Sequence, residues 1–315
     1  MPENKVQFQK GLSLPEFTRQ YGTEEQCHTA LAKAKWARGF VCSECGHKAY
    51  SYIKSRKIYQ CNACKHQTTV TRGTVFHSTN LPLTTWFLAM YFMTQCKNGV
   101  SSLALTKLIG VSYKTAWRLH HKLSQVMIER DAIKKLTGLV EVDDAYLGGQ
   151  KSGGKRGRGS ENKQPFVAAV QVTAEYHPIS VRLSPVNAFT KKEIESWSKS
   201  HLDRGCHVHT DGLRCFNGFD GSVETHSTTV MKNDPNTGKK PYFKWVNTIL
   251  GNVKSSITGT YRSNSSEYSA RYLGEFQYRI NRRYDLGAIL IRLVYAAAQT
   301  PPLSGRLLRV AANST

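Results

Sequence analysis

The sequence predicts an α+β multidomain chain in which a small metal-stapled module and a group of helices precede a larger mixed-sheet domain. Three observations predict it: two C-x2-C pairs in the first quarter, dense helical periodicity between residues 81 and 127, and a switch after about residue 136 to short β-branched runs. The reading divides the 315 residues into a helical segment (1–38), a zinc ribbon (39–78), a helix-turn-helix region (79–133), a mixed-sheet domain (134–300) and a tail (301–315).

Charge narrows the function classes. There are 44 Lys and Arg against 22 Asp and Glu, a net charge of +22, and an excess of that size attracts polyanions, of which nucleic acid is the commonest. The rival reading is a basic protein on a membrane surface, but no Lys/Arg-rich helix with an apolar face supports it. The N-terminus lacks a basic region followed by an apolar one, and the longest apolar run, WFLAMYFM, is far too short for a bilayer. The expected location is therefore the cytoplasm, a reducing compartment. There the eight cysteines read as metal ligands or core residues rather than disulfides.

Residues 13–36 read as helical, with Leu14, Phe17, Cys27, Leu31 and Trp36 on apolar faces. Cys42, Cys45, Cys61 and Cys64 then stand as C-x2-C-x15-C-x2-C. Each pair folds as a knuckle, and two knuckles complete a tetrahedral all-thiolate zinc site with no position left for water, so the metal is structural. Between them AYSYIKSRKIYQC alternates as a hairpin turning near Lys54 to Arg56. His47 and His66 lie just outside the knuckles and read as surface or phosphate-contacting residues.

Three helices are expected next. The first starts near Thr84 and stops at Lys97-Asn98-Gly99; the second begins at Ser101 or Ser102 and ends at Gly110; the third is capped by Ser112. A short helix, a Gly turn and a cationic helix have the form of a helix-turn-helix. Tyr113, Lys114, Arg118 and Lys122 are its candidate DNA contacts, and the same pattern also occurs in plain helical bundles. Cations on such a helix suit base edges or phosphates in the major groove.

Strands follow at LVEVDDAYL (139–147), PFVAAVQVT (165–173) and ISVRLSPV (179–186), then a helix at 189–202 and a fourth strand at CHVHTDG (206–212). Three strands, a helix and another strand begin a ribonuclease-H-like fold. In that fold the first and fourth strands are neighbours, which brings Asp143 and Asp211 together. Two carboxylates in one pocket repel, and a divalent cation resolves the conflict. Strand alternation sends Asp144 to the opposite face, toward a helix terminus or a basic side chain. Glu141 shares a face with Asp143 and is expected to pair with a basic side chain, and His209 is a candidate neighbour of the site.

The loop GGQKSGGKRGRGSENK carries five Lys or Arg, among them Lys155, Arg156 and Arg158, and reads either as a solvated hairpin tip or as a grip on the phosphate backbone. A helix is expected from about Lys244 to Ile257. The run DLGAILIRLVYAAAQ forms a last helix, with Ile289, Leu293 and Ala296 on one side, before an irregular tail.

The ribbon, VEVDDAYLGG, HTDGLRCFNGF, WVNTILGNVK and YLGEFQYRINRR, in that order, resemble the DDE-type insertion-sequence transposases that bear a zinc ribbon and an Asp-Asp-Asn-Lys set. The resemblance runs from about Leu14 to Arg283. It implies catalytic Asp143, Asp211, Asn252 and Lys254, with Asp143, Asp211 and Asn252 holding magnesium or manganese. It also implies double-stranded DNA as partner, at least a dimer on DNA, and cleavage and joining at the element's ends. The wider superfamily has Glu where Asn252 stands, and an amide ligates through its carbonyl without adding charge. Lys254 falls about 200° round the helix from Asn252 and points toward a DNA phosphate role. Glu275 is the nearest alternative third carboxylate. Two other readings stay open at this stage: a DNA-binding regulator derived from a transposase, and a metal-dependent nuclease that cuts without joining.

Overall fold

The computed structural model describes residues 10–147, 163–229, 243–261 and 266–310. The chain forms two compact units, one of residues 1–126 with 284–311 and one of residues 127–283 with 312–315.

The first unit begins with two helices in the stretch expected to be helical, α1 (Leu14–Tyr21) and α2 (Glu24–Lys35). The break lies at Gly22 and Thr23, because each helix has its own capping box: Ser13 with Glu16, and Thr23 with Gln26. The ribbon follows as β1 (Tyr50–Ile53), β2 (Ile58–Cys61) and β3 (Gln67–Thr68), paired antiparallel in that order. The hairpin turns at Lys54–Arg56 as expected. Its inner face meets α2 through rings: Tyr59 lies 4.4 Å from Trp36 and stacks on His28 at 5.9 Å.

Three helices come next, α3 (Leu83–Gln95), α4 (Ser102–Ile109) and α5 (Tyr113–Ala132). Ser101 caps α4 by accepting from the Ala104 N–H at 3.1 Å, and Gly110 ends it at φ 68°, a conformation that favours glycine. The expected helix, three-residue turn and helix are thus present.

Two expectations about boundaries do not match. The division between the units falls at 126/127, within α5, rather than at 133/134. Helix α9 (Ile289–Gln299) belongs to the first unit, not to the sheet domain: it packs on α2 and α3, and Gln299 Nε2 donates to the Ala34 carbonyl at 3.0 Å. Sequence order hides such a return, because the buried face of α9 is apolar whichever unit receives it. The tail, expected to be irregular, contains a short helix, α10 (Gly305–Val310).

The second unit is built on a five-stranded sheet of β4 (Leu139–Leu147), β5 (Gln164–Val172), β6 (Pro178–Pro185), β7 (His207–Thr210) and β8 (Thr225–Thr228). The spatial order is β6-β5-β4-β7-β8, with β4 antiparallel to β5 and parallel to β7, the order expected of a ribonuclease-H-like core. A helix between β6 and β7, α6 (Lys191–His201), provides the crossover that a parallel neighbour requires. One sheet face packs Val140, Val142, Val167 and Ala169 against Ile194, Trp197 and Phe216. The other packs Ala145, Phe166, Ala168 and Val170 against α7 (Lys244–Thr260) and α8 (Ser269–Ile280).

Helix α8 also closes the outer side of β6. The Leu183 N–H donates to Gln277 Oε1 at 2.8 Å and the Val181 N–H to Asn281 Oδ1 at 2.7 Å, while Asn281 Nδ2 donates back to the Val181 carbonyl at 3.0 Å. Two amides one turn apart on the helix thus fill hydrogen-bonding positions where another strand would pair.

Candidate active site and metal centre

The four cysteine sulfurs gather where β2 and two loops meet. Cys42 Sγ lies 3.6 Å from Cys64 Sγ and Cys45 Sγ 3.6 Å from Cys61 Sγ, and all four are within 4.8 Å of one another. Tetrahedral zinc with Zn–S bonds of about 2.3 Å separates its sulfurs by about 3.8 Å, so the donor set fits that ion. The two knuckles are near copies. Cys42 and Cys61 each accept from the N–H four residues on, that of Gly46 or Lys65, and donate to the carbonyl of His47 or His66. Burial opposes ionisation of Cys61, but N–H donors from Cys64 and Ala63 overcome it and pull the thiol down to about 6. His47 and His66 are not in the cluster; His66 faces Glu44 at 3.9 Å.

Asp143 and Asp211 come together for a reason that register makes plain. Glu141 pairs with His209 in the parallel ladder, so continuing the register sets Asp211, just past the end of β7, level with Asp143. Here β4 runs on beside β5 alone. Asp143, Asp144 and Asp211 offer carboxylate oxygens that all lie within 4.8 Å of one another. The placement of Asp144 overturns the expectation that alternation would send it away. Beyond the end of β7 the strand has an open side, and side chains from both faces can turn into it.

Backbone donors steady the group: the Asp144 N–H donates to Asp143 Oδ1 at 2.8 Å and the Leu213 N–H to Asp211 Oδ1 at 3.0 Å. Burial first, then the charges of Asp144 and Asp211, push the Asp143 carboxyl up to about 6, against the pull of the Asp144 N–H and the Lys254 ammonium. Half-buried acids of like charge, all with hard oxygen donors, fit a divalent cation of the magnesium or manganese kind. Lys254, on α7, is therefore within electrostatic reach of Asp143, while Asn252 stands exposed on the same helix.

The remaining candidates are placed as follows. Glu275 lies outside the acidic group; it is 1% exposed, ion-paired with Arg279 and hydrogen-bonded by the Tyr261 hydroxyl at 2.9 Å. Arg282 on the same motif pairs with Asp131 at 2.7 Å, and Gln277 and Asn281 also donate to that carboxylate. YLGEFQYRINRR is thus a packing motif: Glu275 pairs with Arg279, Arg282 with Asp131, and Arg283 donates to the Ile280 and Pro178 carbonyls. Among the described residues Glu141 pairs with no basic side chain; its Oε2 accepts from the Val246 N–H at 3.4 Å. His209 shares a hydrogen bond with Ser227 Oγ at 2.7 Å, and its ring lies 5.0 Å from Phe243.

Tyr113, Lys114 and Arg118 are exposed at the start of α5. Lys122 is not presented in the same way. Its Nζ donates to the Val75 carbonyl at 3.3 Å, 5.9 Å from the centre of the Trp86 ring, and burial followed by the charge of Arg118 lowers its pKa. Lys155, Arg156 and Arg158 lie outside the described residues. Sequence reasoning missed Asp144 as a member of the acidic group. The available signal was that the VEVDD strand is longer than HVHT, so its end must overhang.

Comparison with known proteins agrees with this geometry. Residues 135–281 match the profile of the ISXO2-like transposase domain, and residues 22–67 that of the transposase zinc-ribbon domain. A protein of Halobacterium salinarum described as an uncharacterized protein in transposable element ISH50 is 30% identical over 217 residues, 63% of this chain and 70% of that protein. Two domain matches in the order of the two clusters, together with a relative from a mobile element, show that the chain belongs to the zinc-ribbon-bearing DDE transposases.

Proposed function

We propose that this protein is an active DNA transposase that binds the ends of an insertion sequence and carries out strand cleavage followed by strand transfer. The observation that carries the reading is the convergence of Asp143, Asp144 and Asp211 at the overhanging end of β4. Asp143 and Asp211 would hold the catalytic cations, joined by the Asn252 carbonyl. Asp144 adds a third negative charge to a set whose amide brings none. Magnesium or manganese, when bound, supplies activation of a water or 3'-hydroxyl and stabilisation of the leaving oxygen.

The chain's own groups do the positioning. Asp143 on β4 and Asp211 just past the end of β7 are steadied by backbone donors, so little reorganisation accompanies the reaction. Lys254 offers its ammonium beside Asp143, where a scissile phosphate would need a counter-charge. Tyr113, Lys114 and Arg118 are the proposed contacts of α5 to the element's terminal DNA, with Lys155, Arg156 and Arg158 gripping the backbone. Two element ends require two active sites, so a dimer on DNA is expected, in the cytoplasm. Among the described residues no helix is long and apolar enough to cross a membrane.

The test is a labelled duplex ending in the element's terminal sequence, incubated with Mg2+ or Mn2+ and a target plasmid. The parent should yield nicked and joined products, and Asp143→Asn and Asp211→Asn should each lower both by about a hundredfold or more. Binding without cutting would indicate a regulator. Cutting without joining would indicate a nuclease, and unchanged variants would overturn the site.

A further inference from the structure

Glu141 is a charge without an assigned task. It stands in β4 between Val140 and Val142, 2% exposed, on the sheet face that α7 and α8 cover. A carboxylate in such surroundings is costly unless hydrogen bonds satisfy it. Here the N-terminus of α7 does so at one oxygen: Oε2 accepts from the Val246 N–H at 3.4 Å, and the N–H groups of Phe243 and Trp245 also point to this carboxylate, while Oε1 has no hydrogen-bond partner among the described residues.

The helix needs that partner. Helices α1, α2, α4 and α6 are capped locally by Ser13, Thr23, Ser101 and Thr190. Before α7 stands Phe243, an apolar residue at φ 63° with no side-chain cap. Its first N–H groups are orphans of the kind a helix start must satisfy. They find their acceptor 105 residues earlier in the chain, on the strand that carries Asp143.

We propose that Glu141 is a positioning residue for strand cleavage: by capping α7 from β4 it sets the height and rotation of that helix, and so where Lys254 stands beside Asp143. The lever is short. A slip of one residue along a helix shifts it by about 1.5 Å and turns it by about 100°, enough to carry Lys254 off its side of the site. A misplacement of about 1 Å at a reacting centre is worth about a hundredfold in rate. If Glu141 were only a tolerated buried acid, an apolar side chain of similar volume would serve as well or better.

The catalytic half of the inference rests on the transposase reading; the capping half does not. The zinc-loaded full chain is compared with Glu141→Leu, Glu141→Gln and Lys254→Ala by hydrogen exchange and by cleavage of the labelled duplex. In Glu141→Leu, exchange at residues 245–248 should rise about tenfold while β4 and β5 stay protected. Its kcat should fall about a hundredfold with KM for the duplex unchanged. Glu141→Gln, which keeps an acceptor oxygen, should restore most of both. Glu141→Leu added to Lys254→Ala should cost little more than Lys254→Ala alone, because Glu141 acts through the helix. Unchanged exchange in Glu141→Leu overturns the cap. Altered exchange with parental kcat overturns the positioning role. A parent that cuts no DNA overturns the transposase reading and the positioning role with it, and the exchange data then still decide the cap.

Discussion

The thiolate cluster and the carboxylate cluster solve opposite problems. In the ribbon, four sulfurs supply a full tetrahedron, each knuckle is pinned by its own backbone hydrogen bonds, and an ion placed there has no open position. At the end of β4, three carboxylates of like charge meet where the neighbouring strand has stopped, and their mutual repulsion is part of the native state. The first cluster is organised so that a metal holds the fold. The second is held by the fold as a set of hard oxygen donors that fits a divalent cation. Removing ligands from the two should therefore have opposite effects on stability.

The largest effect is expected at the ribbon. Cys61→Ser should abolish zinc retention and unfold residues 42–68, since binding of about 10 kcal/mol or more is folding free energy in such modules. Metal content by atomic emission and hydrogen exchange across β1 and β2 check this, and a ribbon still protected without zinc would break the comparison.

Next is Glu275→Gln, which leaves Arg279 without its charge partner in a buried pair and should cost about 3–5 kcal/mol in urea unfolding. It should leave Mn2+ binding at the aspartates unchanged by calorimetry, and lost binding would restore Glu275 as a ligand.

Asp143→Asn should stabilise. An acid whose folded pKa lies above its unfolded value costs stability once ionised, and for Asp143 that cost sets in as pH rises from 3.8 through about 6. The metal-free variant should be more stable than the parent by about 1–3 kcal/mol at pH near 7.5, with the difference vanishing below about pH 4. Added Mn2+ should reverse the sign. A variant less stable than the metal-free parent at neutral pH would mean that the acids are not in conflict.

The smallest effect separates the two knuckles. Gly46 at φ 71° and Lys65 at φ 60° occupy the same place after the second cysteine, and only glycine does so without strain. Lys65→Gly should raise the thermal midpoint of the zinc-loaded protein by about 1 kcal/mol equivalent, and Gly46→Ala should lower it by a similar amount.

What the sequence revealed follows from which interactions are local. The cysteine spacing, the strand runs and the alternation around Val140 and Val142 are properties of a few neighbouring residues, and they led to the ribbon, the adjacency of the first and fourth strands and the meeting of Asp143 with Asp211. Asp144 escaped because alternation governs a strand paired on both sides, and β4 there has lost one partner. Glu275 resembled a ligand although Arg279 stands one turn away on its own helix, because its burial and its Tyr261 partner become visible only when α8 is folded against the end of α7. Lys122 looked like its cationic neighbours until Val75 and Trp86 were placed beside it. Helix α9 carried no mark in its own residues of the unit it joins.

The amides of Gln277 and Asn281 have a consequence for crowded chains. An uncovered outermost strand invites the strand of another molecule, and stacks of such pairings are how sheet proteins precipitate. With β6 already hydrogen-bonded by side chains of its own helix, that rim cannot be lengthened by a stranger. Gln277→Leu with Asn281→Leu would remake it as a sticky border, and the cost would appear first as lost solubility during synthesis.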